Sequence, residues 1–213
     1  RKQLTAPNGK PSNLNEKQWN QVRTPEFKKW FGDWENDPKN ASKVVDENGE
    51  PLVVYHGTDA TFDAFIPGWA QGWGKGIYFT DNKEQTKEFG ENTIEAFINI
   101  KNPVTEENYS KMDLIQNTDA WKDKTKKLQE KYGEEQELDF ENEFYENIDF
   151  LANIWRELGH DGIIFEGSNS IEGQEIVSFN SNQIKSATEN EGTFSAEEKS
   201  IRKQKPKSIN DIV

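Results

Sequence analysis

Three polar side chains interrupt otherwise apolar strand patterns in this chain. His56 closes the run Leu52-Val53-Val54-Tyr55-His56-Gly57, Tyr78 lies within Gly76-Ile77-Tyr78-Phe79-Thr80, and Glu175 lies within Gln174-Glu175-Ile176-Val177-Ser178-Phe179. Each has an ordinary explanation: a histidine at a strand end is often a hydrogen-bonded structural residue, a strand tyrosine packs, and a glutamate can project to solvent from a sheet edge. Glu is nonetheless depleted in strands and expensive to bury. The neighbouring residues point to a site. Gly57 beside His56 lets a flat ligand come close to the backbone, and the Thr58 hydroxyl follows. Gly74 and Gly76 lead into the strand that carries Tyr78, where glycines mark bulges or close backbone approach. An imidazole, an aromatic face and a carboxylate set among such glycines are the parts of a site that clasps a planar ligand.

Those residues need strands to hold them, and the chain supplies strand patterns on either side. Asp46-Glu47-Asn48-Gly49-Glu50-Pro51 is a turn that delivers the His56 strand, and Thr93 to Ile100 alternates polar and apolar residues as a half-buried strand does, until Asn102-Pro103 stops it. Asn117 to Gly159 turns helical, with an apolar stripe at Phe144, Ile148, Leu151, Trp155 and Leu158 that core packing explains. The acidic stretch Glu134 to Glu146 reads as a solvated face. Leu158-Gly159-His160-Asp161-Gly162 ends the helix and feeds Ile163-Ile164-Phe165, and Asn180-Ser181-Asn182 turns the Glu175 strand into Gln183-Ile184-Lys185. This interleaving, without regular strand–helix alternation, indicates an α+β fold of mainly antiparallel strands.

Flanking segments complete the expected organisation. Residues 1–45 read as a polar lead-in followed by a short helix, opened by Thr24-Pro25, whose Phe27, Trp30, Phe31 and Trp34 share one face and dock on the main domain. Residues 46–186 form the domain proper, and 187–213, polar and without apolar period, read as a tail or linker.

Composition excludes several chemistries. There is no cysteine, so disulfides, thiolate metal sites and cysteine nucleophiles are absent, and with only His56 and His160 a histidine-rich metal site is implausible; no metal is expected. A formal charge of −13 repels phosphate backbones and disfavours nucleic acid as a partner. No run approaches the roughly 20 apolar residues that cross a bilayer, so no membrane is expected. The first residue is Arg1 rather than Met, as in a segment of something longer, which leaves a removed targeting signal open.

The motifs Tyr55-His56-Gly57-Thr58, Gly74-Lys75-Gly76-Ile77-Tyr78-Phe79 and Glu175-Ile176-Val177, in that order, resemble the ADP-ribosyltransferase superfamily, in its His-Tyr-Glu branch of diphtheria-type toxins and poly(ADP-ribose) polymerases. The resemblance covers roughly residues 50–186 and implies a split antiparallel β-sheet core with flanking helices and NAD+ bound as substrate in the cleft between its halves. His56 would then bond a ribose hydroxyl, the Gly57 backbone would clamp the nicotinamide carboxamide, Thr58 would add a hydroxyl contact, and Tyr78 would stack on the nicotinamide ring. Thr86 and Phe89 stand near the places of a small hydroxyl residue and a second aromatic on the following helix. Cleaving the nicotinamide–ribose bond develops positive charge on the sugar, as glycoside hydrolysis does, and Glu175 would stabilise it while binding the 2′-hydroxyl and orienting or deprotonating the acceptor. The catalytic set is therefore expected to be His56, Tyr78 and Glu175. No Arg occupies the first-strand position of the arginine-led branch, and Gly173 stands where arginine-modifying relatives carry an acidic or amide residue, so their acceptor rule does not transfer.

The order of segments also resembles modules within large polyproteins of phages and other bacterial mobile elements. That implies a toxin or host-takeover effector in a bacterial cytoplasm, with delivery as part of a larger protein left open. Rival readings are a binding module for NAD+ or ADP-ribose, an NAD glycohydrolase, an RNA 2′-phosphotransferase lacking the expected basic residues, and a purely structural module. The acceptor, macromolecule or small molecule, stays unassigned; the charge favours a protein or small molecule over nucleic acid, with protein slightly ahead. Trp69 within the unplaced loop Asp59 to Gln71 and Trp73 just after it either contact an acceptor or pack.

Overall fold

The computed structural model describes residues 3–68, 72–167, 173–190 and 192–202; Trp69 lies outside these. One seven-stranded sheet organises the chain. Its strands are β1 (Val54–Thr58), β2 (Ile77–Thr80), β3 (Asn92–Ile98), β4 (Pro103–Val104), β5 (Gly162–Glu166), β6 (Gln174–Ser178) and β7 (Ile184–Ser186), in the order β4-β5-β6-β2-β1-β3-β7. Every pairing is antiparallel except β4 with β5. The α+β class with a mainly antiparallel sheet is thus the observed one. β4 is a strand the sequence pattern hides: Pro103 halts the alternation of β3, yet as the first residue of a two-residue edge strand it is tolerated.

The sheet all but parts in its middle. β1 pairs β3 from Val54↔Ala96 to Thr58↔Asn92, and β2 pairs β6 from Ile77↔Ser178 to Thr80↔Glu175. Between β1 and β2 the register consists of Tyr55↔Thr80 alone. Beyond that pair the β1 edge along His56, Gly57 and Thr58 has no β2 partner, and the two half-sheets diverge.

Both faces of the sheet are covered by apolar clusters. Successive strand residues point to opposite faces, so Ile176 joins a core with Val54, Phe65, Ile77, Phe79, Ile98 and Ile184, while Val177 joins one with Trp73, Leu151, Ile154, Trp155 and Ile163. Helices α3 (Met112–Ile115), α4 (Asp119–Tyr132), α5 (Phe140–Glu146) and α6 (Ile148–Glu157) lie on the second side. The apolar stripe from Phe144 to Leu158 is not one helix. The chain leaves helical dihedrals at Asn147 (φ −139°, ψ 45°), which ends α5 and starts α6, in keeping with the poor fit of Asn inside helices. In the acidic stretch, Glu143 is buried and paired with Lys124.

The N-terminal residues form a third cluster. α1 (Glu16–Gln21) starts with a capping box between Asn15 and Gln18, and α2 (Pro25–Phe31) starts with Thr24 accepting from Phe27 N–H and Pro25 in its first turn. Phe27 packs on Phe97 of β3 and on Phe194, with ring centroids 5.2 and 4.9 Å apart, and Trp30, Phe31 and Trp34 are buried beside it. Leu14 and Val22 join the same cluster, so packing begins before the aromatic helix, within the stretch read as lead-in.

The stretch after Ser186, read from its composition as a polar tail, is packed through Ile201. Ala187, Phe194 and Ile201 are buried in the core clusters, and Asn190 bonds the Ile201 and Thr193 carbonyls through its amide. Lys185, itself fully buried, donates from Nζ to the carbonyls of Glu198 (2.5 Å) and Ser200 (2.9 Å). Widely spaced single apolar residues anchored by backbone-directed polar side chains carry no periodic signal, which is why composition misreads this strap. Among the described residues, no helix is long and apolar enough to cross a membrane.

Candidate active site

The parting of β1 from β2 opens into a cavity of about 700 Å³. Its lining includes His56, Gly57, Tyr78, Thr86, Phe89 and Glu175, so six of the seven residues singled out in the sequence border one space. Thr58 is not among the lining residues; its hydroxyl accepts from the Ala60 N–H and closes a local turn instead.

His56 sits on the face of β1 that packs against the first core, its ring edge-on to Phe65 (5.0 Å) and tilted against Phe79 (5.5 Å). Its Nδ1 is 2.7 Å from the Tyr78 carbonyl oxygen. Burial lowers its pKa, and the bond to the carbonyl opposes the shift in part. A carbonyl can only accept, so the neutral ring carries its proton on Nδ1 and leaves Nε2 as an acceptor.

Gly57 is forced by packing. A Cβ there would lie 2.2 Å from the Thr86 carbonyl oxygen and 3.0 Å from the Phe89 Cβ, because the 3₁₀ turn Lys83–Glu88 crosses over β1 at this point. Thr86 is buried with its hydroxyl shared between the Lys83 carbonyl and the Thr93 hydroxyl, both at 2.7 Å, so it holds this turn to β3. Phe89 is 62% exposed and Ile66 86%, both at the cavity border.

Tyr78 and Glu175 belong to the opposite side of the sheet. The Tyr78 hydroxyl donates to the Gly74 carbonyl at 2.5 Å and accepts from the Trp73 N–H at 3.1 Å, and burial pushes its pKa far up, so it stays a neutral phenol. Gly74 has φ 79°, in the left-handed region, and a Cβ on it would meet Asp149 Oδ1 at 2.6 Å; a Cβ on Gly76 would meet Val177 Cγ1 at 2.4 Å. The loop is tied to α6 on both sides of Lys75, whose N–H donates to Asp149 and whose carbonyl accepts from Arg156.

Glu175 is 7% exposed and its Oε2 accepts from the indole Nε1–H of Trp73 at 2.9 Å. Burial raises its pKa, and the indole bond acts against that rise. Trp73 packs on Phe165, Phe144 and Trp155, with centroids 4.1, 5.5 and 6.2 Å away. Packing was one of its two expected roles, but its bond to Glu175, across 102 residues, was not foreseeable from spacing. The cavity also takes Phe62, Phe65 and Ile66 from the loop after β1, which sequence left unplaced.

The arrangement offers an acceptor nitrogen, an aromatic face and a buried carboxylate around one apolar-walled space. A family model described as ADP-ribosyltransferase in polyvalent proteins matches residues 46–194. No curated protein matches the chain. Among solved structures, the crystal structure of an anti-CRISPR protein is similar at 14% identity and a TM-score of 0.38, over 62% of this chain and 91% of that one, a likeness too loose to carry an argument. The family match spans well over half of the sequence, and the chain belongs to the ADP-ribosyltransferases of polyvalent proteins.

Proposed function

We propose that the cavity binds NAD+, the substrate of ADP-ribosyltransferases, and that the protein moves its ADP-ribose to an acceptor with His56, Tyr78 and Glu175 as the working residues. One observation carries the reading: side chains from three separate strands, β1, β2 and β6, border the same cavity at the parting of the sheet. Nε2 of His56 accepts a bond from a ribose hydroxyl. The Gly57 backbone, on the stretch of β1 without a β2 partner, takes the carboxamide, and the Tyr78 ring stacks on the nicotinamide, with Phe89 at the rim as the second aromatic.

When the C1′–N bond breaks, the bonding electrons leave with nicotinamide and positive charge develops on the ribose. The Glu175 carboxylate, little screened by water, stabilises that charge through its contact with the 2′-hydroxyl. The acceptor then bonds to C1′ and gives up its proton to Glu175 or to water. A module of this kind from a phage or mobile element acts as an effector or toxin inside a bacterial cell, with transfer of single ADP-ribose units.

The test is incubation of the protein with bacterial lysate and NAD+ labelled in its adenylate half. Label fixed covalently to a macromolecule and lost with Glu175→Ala supports transfer and delivers the acceptor for identification. Free labelled ADP-ribose without any adduct makes the protein a glycohydrolase, and intact NAD+ that nevertheless binds makes it a binding module.

A further inference from the structure

Trp73 reaches two of the three proposed working residues through different groups. Its indole N–H bonds Oε2 of Glu175, and its backbone N–H bonds the Tyr78 hydroxyl, which in turn donates to the carbonyl of the next residue, Gly74. The residues on either side of it, Gly72 and Gly74, have φ of 117° and 79°, which only glycine adopts without strain, so the backbone is shaped to turn the indole inward. Phe165, Phe144 and Trp155 then fix the ring plane.

We propose that Trp73 is a positioning residue of the active site, orienting the Glu175 carboxylate by its indole N–H and the Tyr78 ring by its backbone N–H. This rests on the reading of Glu175 as the working carboxylate. With Oε2 held by the indole, Oε1 is the oxygen left to meet the ribose hydroxyl. An indole is a donor with no acceptor capacity, so it bonds the ionised carboxylate fully and favours the charged form in a site where burial disfavours it. Tyr78, whose pKa is held up chiefly by burial and to a lesser degree by the charges of Glu175 and Asp149, stays neutral across the working range.

Trp73→Phe keeps a ring in the same pocket and removes only the side-chain donor. Loss of a bond to a charged group predicts about a tenfold or greater fall in kcat for nicotinamide release, with KM for NAD+ unchanged and the acidic limb of the kcat profile moved to higher pH. Phe144→Leu, which thins the packing of the indole from α5 and leaves its N–H and the strand neighbours of Glu175 in place, is the packing control; it lowers the thermal midpoint and leaves the acidic limb in place. In 15N-labelled wild-type protein, the indole resonance of Trp73 follows the ionisation of Glu175 and loses that dependence in Glu175→Gln. Equal losses in Trp73→Phe and Phe144→Leu with an unmoved limb, or an indole resonance indifferent to pH, overturn the proposal and leave Glu175 in its role. Full turnover in Glu175→Gln removes the reading beneath it, which is a separate result.

Discussion

His56 Nδ1 lies 2.7 Å from the main-chain carbonyl oxygen of Tyr78, so the ligand-binding state of the histidine is set by the backbone of the strand across the parting. The bond fixes the tautomer, and burial holds the ring neutral by lowering its pKa from the usual value of 6.5. Protonation would turn Nε2 from acceptor to donor, forcing the ribose hydroxyl to turn and accept, and would set a buried positive charge beside the cationic nicotinamide ring. The affinity for NAD+ is therefore expected to stay level through neutral pH and to fall only as pH drops below 6.5, through the lowered folded-state value. Stability follows the same sign: His56 contributes fully above 6.5 and progressively less as pH falls through the folded value. A carbon-detected titration of the ring and NAD+ binding isotherms across that range check both; a histidine midpoint above 6.5 contradicts the assignment.

Glu175 has the opposite sign. Burial raises its folded-state pKa, so the protonated form is favoured on folding and stability is lost as pH rises through the folded value. Glu175→Gln, which stays neutral and keeps an oxygen for the Trp73 indole, is expected to raise the thermal midpoint at pH 8 and to show a shrinking advantage toward pH 4.5, the usual carboxylate value. Paired thermal melts at several pH values measure this. An advantage that grows on acidification refutes it.

Gly57 and Gly76 are predicted to be intolerant for reasons of space. Alanine at position 57 places a Cβ 2.2 Å from the Thr86 carbonyl, and alanine at 76 places one 2.4 Å from Val177. At 57 the obstacle is backbone, which yields only if β1 moves from the 3₁₀ turn; at 76 it is the buried Val177 side chain, with the Ser178 carbonyl oxygen at 3.3 Å behind it. Each substitution should destabilise by about 1–3 kcal/mol in urea unfolding. Gly57→Ala should also weaken NAD+ binding, since it spreads the wall of the cavity.

Ile201 is expected to matter to the cavity although it does not line it. Its N–H donates to the Asp63 carbonyl at 2.8 Å, Ser200 pairs with Ala64, and its buried side chain packs in the cluster that contains Phe65. The strap thus braces the loop that contributes Phe62, Phe65 and Ile66 to the lining. Ile201→Ala should cost about 2–5 kcal/mol in stability, and at a temperature where the variant remains folded it should raise KM for NAD+ more than it lowers kcat. Unchanged KM would separate the strap from the site.

What could be read from the sequence and what could not divides along the range of the interactions. β1, β2 and β6 are short apolar runs bounded by turns, and His56, Tyr78 and Glu175 are conspicuous because each interrupts such a run. The glycines at 57, 74 and 76 are legible because close approach leaves few other residue types. Thr58 shows the ambiguity of a hydroxyl beside a glycine, which can serve a ligand or a local turn: in the structure it closes a turn with Ala60 and lies outside the cavity lining. Trp73, Phe65 and Ile201 meet their partners across long stretches of chain, so their places follow from the topology and leave no local pattern. The break at Asn147 escaped for a related reason: α5 and α6 both turn their apolar faces to the sheet, so the stripe runs on through a change of direction.

Glu175 is proposed to drive cleavage of the nicotinamide–ribose bond from its place in the cavity. Nicotinamide release from NAD+ by the purified protein in the presence of bacterial lysate, measured beside Glu175→Gln, tests it most directly. The account predicts release by the wild type and a loss on the order of 100-fold or more in the variant, with NAD+ binding retained in both. Equal release by the two proteins, or binding without release in either, would contradict it.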